Sequence, residues 1–367
     1  MCISHFENYF SEIEDPRIGN RKIHPLINVI FITLVGVLCG LNTFVEIEEL
    51  GKGKIEFLKK YLDLTHGIPS HDTFGNVFAL IDSGHFAECF ENWSSSLRTL
   101  INEDFIALDG KSIRSSLDKN KNKLPIHLMN VWSSMNNICL AQMRCDNKSN
   151  EVIAFEQLLE KLSLEECTIT ADAMHCHRET TRQITEAKAN YVLGLKKNEP
   201  KMYSYCADRF NDSGLEIEQI IKSENRHGRQ EQRTIDFIKI DSCDDEIFDG
   251  WHNINGFVKI KSCRTENNKT TEEIRYYITS LDDIEKAAKG VRYHWQIENN
   301  LHWVLDNTFS EDKCRVRCEN AGENMAFIRK IVLNMLNNNA TPKVSKRRMM
   351  LKAILNDKYL ETLLESF

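Results

Sequence analysis

Two apolar runs in this chain each stop on an aspartate. Phe105-Ile106-Ala107-Leu108 precedes Asp109 and Gly110, and Thr168-Ile169-Thr170-Ala171 precedes Asp172. Short apolar or β-branched runs that end at a turn former read as buried strands. A third acid, Glu298, lies within Arg292–Arg317, RYHWQIENNLHWVLDNTFSEDKCRVR, which reads as one long helix followed by a basic turn. Ile297, Leu301, Val304 and Leu305 recur at helical spacing and mark its buried face. His294, Glu298, His302 and Asp306 fall four apart on another face and drift slowly round the axis. Each acid alone is ordinary. The order strand-Asp, strand-Asp, helix-Glu is the constraint, because it lets a sheet and a helix gather three carboxylates around divalent cations.

The rest of the chain parses around that order. Residues 1 to about 100 read as helical. Pro25 opens an apolar helix that Gly40 closes, Thr43–Leu50 and Ile55–Leu62 are short amphipathic helices, and Ser70 caps a helix with Phe74, Val77, Phe78 and Ile81 facing the core. From Asp104 strands and helices alternate. Strands near Ile126–Ser133 and Ile138–Cys145 follow the first, a helix over Ile153–Leu162 leads to the second aspartate, and Arg178–Ala189 leads to a strand at Tyr191–Leu195. Three early strands at hairpin spacing, then helix-strand-helix-strand, predict an α/β fold with a ribonuclease-H-like mixed sheet.

Asp109 and Asp172 are 63 residues apart, but Asp172 and Glu298 are 126 apart. The longer interval holds an insertion at about 199–283, with strand-like alternation at Thr234–Ile240, Phe257–Ser262 and Ile274–Ser280. Trp251 within it reads as a core residue. The expected division is therefore a helical domain over 1–100, a catalytic domain over 101–340 with a β-rich insertion, and a basic C-terminal helix over 341–367. That last helix, about Lys346–Ile354, is expected either to contact DNA or to form an exposed tail.

The net charge of −7 argues against a uniformly basic nucleic-acid binder, but the charge is unevenly spread. Lys313 to Lys352 contains ten Lys or Arg and two acids, and Lys111, Arg114, Lys119, Lys121 and Lys123 follow the first aspartate. Basic clusters on both sides of the candidate acids favour phosphate binding. The twelve cysteines include no Cys-x-x-Cys pair, and no leader or lipidation signal is read at Met1-Cys2-Ile3-Ser4. Free thiols in a reducing cytoplasm, with nucleoid association and no membrane contact, are expected. His175-Cys176-His177 offers zinc-type ligands, but adjacent residues are a poor zinc pattern.

The blocks ALDGKSIR, ITADAMHC, HGRQEQR, YYITSL and HWQIENNLHWVLDNTFSED resemble those of the H-repeat-associated insertion-sequence transposases, of the DDE class. The resemblance runs in order from near Phe10 to about Leu336. It implies that Asp109, Asp172 and Glu298 are the catalytic acids and metal ligands for two Mg²⁺ ions, with Mn²⁺ able to substitute. It implies cutting at element ends and joining of the 3′-OH to target DNA. The partners it implies are double-stranded DNA, as ends and target, and a second copy of the chain when ends are paired. A nuclease of the same fold without strand transfer, and a non-catalytic DNA-binding remnant, are the competing readings. Many related transposases carry a Tyr-Arg-Glu-Lys signature round the glutamate; here Val291, His294 and Leu305 stand at the Tyr, Arg and Lys positions. Phosphate contacts are accordingly expected from Lys111, Arg114, His227, Arg229, His302, Arg315 and Arg317.

Overall fold

The computed structural model describes residues 2–99, 103–117, 123–145, 151–226, 229–240, 246–266, 269–341, 343–365 and 367. The core begins with three antiparallel strands, β1 (Phe105–Ile113), β2 (Ile126–Ser133) and β3 (Ile138–Cys145). β4 (Thr168–Ala171) and β5 (Asn190–Leu195) then lie parallel to β1. Parallel neighbours need a crossover. Helices α7 (Glu151–Lys161) and α8 (Arg178–Glu186), numbered after six N-terminal helices, supply it. The order β3-β2-β1-β4-β5, with those directions, is the ribonuclease-H-like core expected from the sequence.

The insertion continues this same sheet. After α9 (Pro200–Arg209) come β6 (Glu218–Arg226), β7 (Arg229–Lys239), β8 (Gly256–Glu266) and β9 (Lys269–Thr279). β9 pairs antiparallel with β5 from Val192↔Thr279 to Leu195↔Tyr276, and the described sheet has nine strands ending β5-β9-β8-β7-β6. β6 was not legible from its residues, EQIIKSENR, which are mostly polar; it is held by pairing with β7 along its full length. Trp251 is buried in the core with the Arg178 guanidinium 5.3 Å from its ring centre.

β1 differs from expectation in length. It does not stop at Leu108 but runs on to Ile113, because β2 pairs with it through Ile113↔Ile126. β4 pairs with β1 only from Phe105 to Ala107. Asp109 therefore lies inside a strand, at the point where the neighbour on one side has ended. That opening, beyond the carboxyl ends of parallel strands, is where α/β sheets hold ligands.

The N-terminal helices are α1 (Cys2–Phe10), α2 (Leu26–Leu38), α3 (Phe44–Gly53), α4 (Ile55–Leu58), α5 (His71–Leu80) and α6 (Ser83–Leu97). Thr43 and Glu46 form a reciprocal capping box on α3, and Ser70 accepts from Thr73 N at the start of α5. After the insertion come α10 (Ile284–Gln296), α11 (Trp303–Asn307), α12 (Ala321–Asn338), α13 (Lys346–Leu355) and α14 (Asp357–Glu365). α12 lies between the sheet and the N-terminal helices, and nearly every residue of it is buried. The Asn334 amide takes both backbone groups of Cys139 on the edge strand β3, each at 2.8 Å.

The C-terminal segment is not a trailing tail. Met349, Met350 and Ala353 of α13 and Leu360, Leu363 and Leu364 of α14 join Phe6, Phe10 and Trp93 in one core. Phe367 stacks on Trp93 with ring centres 4.8 Å apart, and Lys54 pairs with Asp357 at 2.6 Å. No helix among the described residues is long and apolar enough to cross a membrane.

Gly110 has no room for a side chain. A Cβ there would lie 2.8 Å from His127 Nε2 and 3.1 Å from Glu151 Cδ, two buried side chains in contact that Ser112 Oγ joins at 2.7 Å from His127 Nδ1. Gly110→Ala should push His127 off Glu151 and lower stability by about 1–3 kcal/mol, as overpacking does. An unchanged denaturant midpoint would show that the pair yields freely.

Candidate active site

Asp109, Asp172 and Glu298 line one cleft of about 340 Å³, together with His294, Trp295 and Arg275. Asp109 projects from β1, and its Oδ1 accepts from Gly110 N at 2.9 Å. Asp172 leaves the end of β4 and caps the short turn after it, accepting from Met174 N at 3.0 Å. Glu298 comes from a π-helical stretch, Ile297–His302, between α10 and α11. The long helix expected over this segment is thus interrupted at the acid itself. π turns take one extra residue per turn and recur at functional sites. The apolar face survives the interruption, with Ile297, Leu301, Val304 and Leu305 all buried.

Ligand atoms of Asp109, Glu298 and His302 lie within 4.8 Å of one another. Asp172 shares the cleft but stands outside that tighter set. His302 Nδ1 is 3.5 Å from Asp109 Oδ2 and 3.6 Å from Glu298 Oε2, too far for good hydrogen bonds but close enough for strong coupling. Burial pushes the Asp109 carboxyl up to about 8, reinforced by the charges of Glu298 and Asp172. Glu298 is held down at about 2, first by His302. The extra proton thus sits on the more enclosed acid. Burial also lowers His302, and it lowers His294 to about 4, so both rings are neutral near pH 7.

Asn130, which no sequence pattern singled out, sits opposite Asp109 in the β1–β2 register and is fully buried. Its Nδ2 donates to Leu128 O at 3.1 Å and lies 3.3 Å from His302 Nε2. With the amide so oriented, Nε2 accepts and the ring proton rests on Nδ1, facing the two acids.

The expected phosphate contacts divide. Lys111 is buried and turned inward, with its Nζ 2.6 Å from Asp306 Oδ1, 3.3 Å from Glu311 Oε2 and 3.6 Å from Asp312 Oδ1. His302 is buried against the acids. Both side chains are turned toward carboxylates. Arg114 is exposed, 3.3 Å from Asp312 Oδ2; Arg315 is exposed; Arg317 is half-buried and donates to Ser115 O at 2.9 Å. His227, Lys119 and Lys121 lie outside the described residues, as does the side chain of Arg229.

The His175-Cys176-His177 run does not converge. His175 stacks on Phe155 at 4.5 Å, the Cys176 thiol is raised by burial, and His177 Nδ1 lies 3.1 Å from Glu199 Oε1.

The raised Asp109 carboxyl has a sign that can be checked. An unfolded Asp titrates near 4, so between about pH 4 and 8 the folded chain binds the extra proton, and metal-free protein loses stability as pH rises through that window. Asp109→Asn removes this loss. In EDTA its melting temperature should exceed that of the unsubstituted chain at about pH 8, and the gap should narrow toward pH 5. A gap that does not change with pH would contradict the assignment of the proton to Asp109.

The family described as Transposase DDE domain matches residues 101–335, and the DDE_Tnp_1-associated family matches residues 7–94. The putative transposase YncI of Escherichia coli O157:H7 is 35% identical over 375 residues, spanning 100% of this chain and 96% of that one. The H repeat-associated putative transposase YhhI of Escherichia coli K12 is 34% identical, spanning 99% and 98%. A piggyBac transposase synaptic complex with hairpin DNA aligns over 98% of this chain and 76% of that one at 9% identity and a TM-score of 0.43, a remote likeness. By sequence, then, the chain belongs to the DDE transposases, alongside the H-repeat-associated members of that family.

Proposed function

We propose that this chain cuts DNA at the ends of an insertion sequence and joins the freed 3′-OH to target DNA, with Asp109, Asp172 and Glu298 as the catalytic acids. The observation that carries the reading is their convergence on one cleft, where burial and mutual repulsion raise Asp109 to about 8. Such a cluster suits a cation: it offers hard oxygen donors, and a divalent ion would relieve the repulsion. Asp109, Asp172 and Glu298 would hold two ions, Mg²⁺ or Mn²⁺. Bound there, such ions supply charge neutralisation on the attacking and leaving oxygens of a phosphodiester.

The protein's own part is placement. Asn130 orients the neutral His302 ring, and His302 keeps its Nδ1 proton toward Asp109 and Glu298 without adding a cation that would compete for the site. Arg114, Arg315 and Arg317 hold backbone phosphates, together with His227 and Arg229. Residues 1–100 act as an accessory end-binding domain to the catalytic region 101–340, and two copies pair the two ends.

Asp109→Asn and Glu298→Gln should each abolish Mg²⁺-dependent cleavage of a duplex carrying the element end while leaving its binding intact. A fully active variant would remove that acid from the chemistry. A donor–target assay that yields nicked but never joined DNA would identify a nuclease without strand transfer. Replacing both Arg315 and Arg317 by Ala should lower the slope of log K against log salt by about two, roughly one for each lost phosphate contact. An unchanged slope would place these arginines off the DNA.

A further inference from the structure

Lys111 follows Asp109 by two residues on β1, so both side chains leave the same face of the strand. Asp306 follows Glu298 by eight residues. In an unbroken α-helix, at about 100° per residue, eight residues leave about 80° of drift. The π stretch takes in one extra residue, worth roughly 100° of rotation, which brings Asp306 back to within about 20° of Glu298. Strand and helix therefore meet at two rungs. In one, Asp109 Oδ2 faces His302 Nδ1 at 3.5 Å; in the next, Lys111 Nζ meets Asp306 Oδ1 at 2.6 Å.

The second rung is anchored from below. Glu311 is fully buried, 3.3 Å from Lys111 Nζ and 3.8 Å from Arg329 Nη1. Arg329 is buried on α12, and its neighbour Lys330 donates to Gln142 of β3 at 2.6 Å. Lys111 is thus tied to both the helix and the layer behind it. Three carboxylates within 4 Å offset its charge.

We propose that Lys111 is a positioning residue: its ion pair with Asp306 sets the distance between the Glu298 segment and Asp109, and through it the affinity of the acid cluster for a divalent cation. The inference rests on that cluster binding divalent cations, as proposed above.

The test uses the full chain and Mn²⁺ alone, titrated by electron paramagnetic resonance. Lys111→Met would leave the buried Glu311 with Arg329, at 3.8 Å, as its remaining ion-pair partner and could unfold the protein. Asp306→Asn is the cleaner variant, because Asp306 is partly exposed and Lys111 keeps Glu311. Asp306→Asn should weaken Mn²⁺ binding by about 10–100-fold, the usual effect of losing a partner behind a metal ligand, with a melting temperature close to that of the unsubstituted chain. Asp306→Glu, which keeps the charge, should recover most of the affinity. The salt slope of duplex DNA binding should not change in Asp306→Asn or in any folded Lys111→Met. Mn²⁺ binding unchanged by Asp306→Asn, or a Lys111→Met slope lower by about one, would overturn the inference. An unsubstituted chain with no Mn²⁺ affinity would instead overturn the cation reading itself.

Discussion

The repulsion among acidic side chains in one cleft is the strain that the surrounding structure must contain. Asp109 is enclosed, and Glu298 and Asp172 raise it further. The helical segment that carries Glu298 packs against β1. It is held by the apolar face of Ile297, Leu301, Val304 and Leu305, by the neutral His302 between the acids, and by Lys111 on Asp306. Apolar burial is non-directional and fixes only that the helix packs. The polar rungs fix where along β1 it stops.

Those rungs need a supporting layer, which α12 provides. It brings two fully buried cations, Arg329 and Lys330, against the equally buried Glu311 and Gln142. Buried charges are costly unless paired and rarely add stability over apolar packing. Their placement directly behind the Lys111–Asp306 pair gives them a local purpose. The stability of this layer comes from the large apolar core that α12 shares with the N-terminal and C-terminal helices. The N-terminal helices thus reach the site indirectly, by holding the helix that holds the clamp.

Much of this was legible in the chain. The strands before Asp109 and Asp172, the crossover helices and the apolar face round Glu298 follow from periodicity, since each buries a face of the expected period. What was not legible depended on partners distant in sequence. β1 runs past Asp109 because β2 continues to pair with it, and β6 is a strand only because β7 lies beside it. The residues round Glu298 suit an uninterrupted helix, so four-residue spacing predicted drift where the π turn cancels it. Lys111 looked like a phosphate contact because it follows an acid in a basic run. Its three carboxylate partners are about 200 residues away, and nothing in the run announces them.

The insertion is also part of the site. β9 is hydrogen-bonded along β5, the strand next to the one that ends on Asp172, so the insertion covers an edge the core would otherwise expose. β9 also supplies Glu273, Arg275, Tyr276 and Tyr277 to the lining of the acid cleft. Arg275 lies over Trp295, with its guanidinium 4.7 Å from the ring centre, and Trp295 stands three residues before Glu298. The insertion therefore touches the helix that leads into Glu298. A segment that could be read as an appended module is one of the supports of the Glu298 segment.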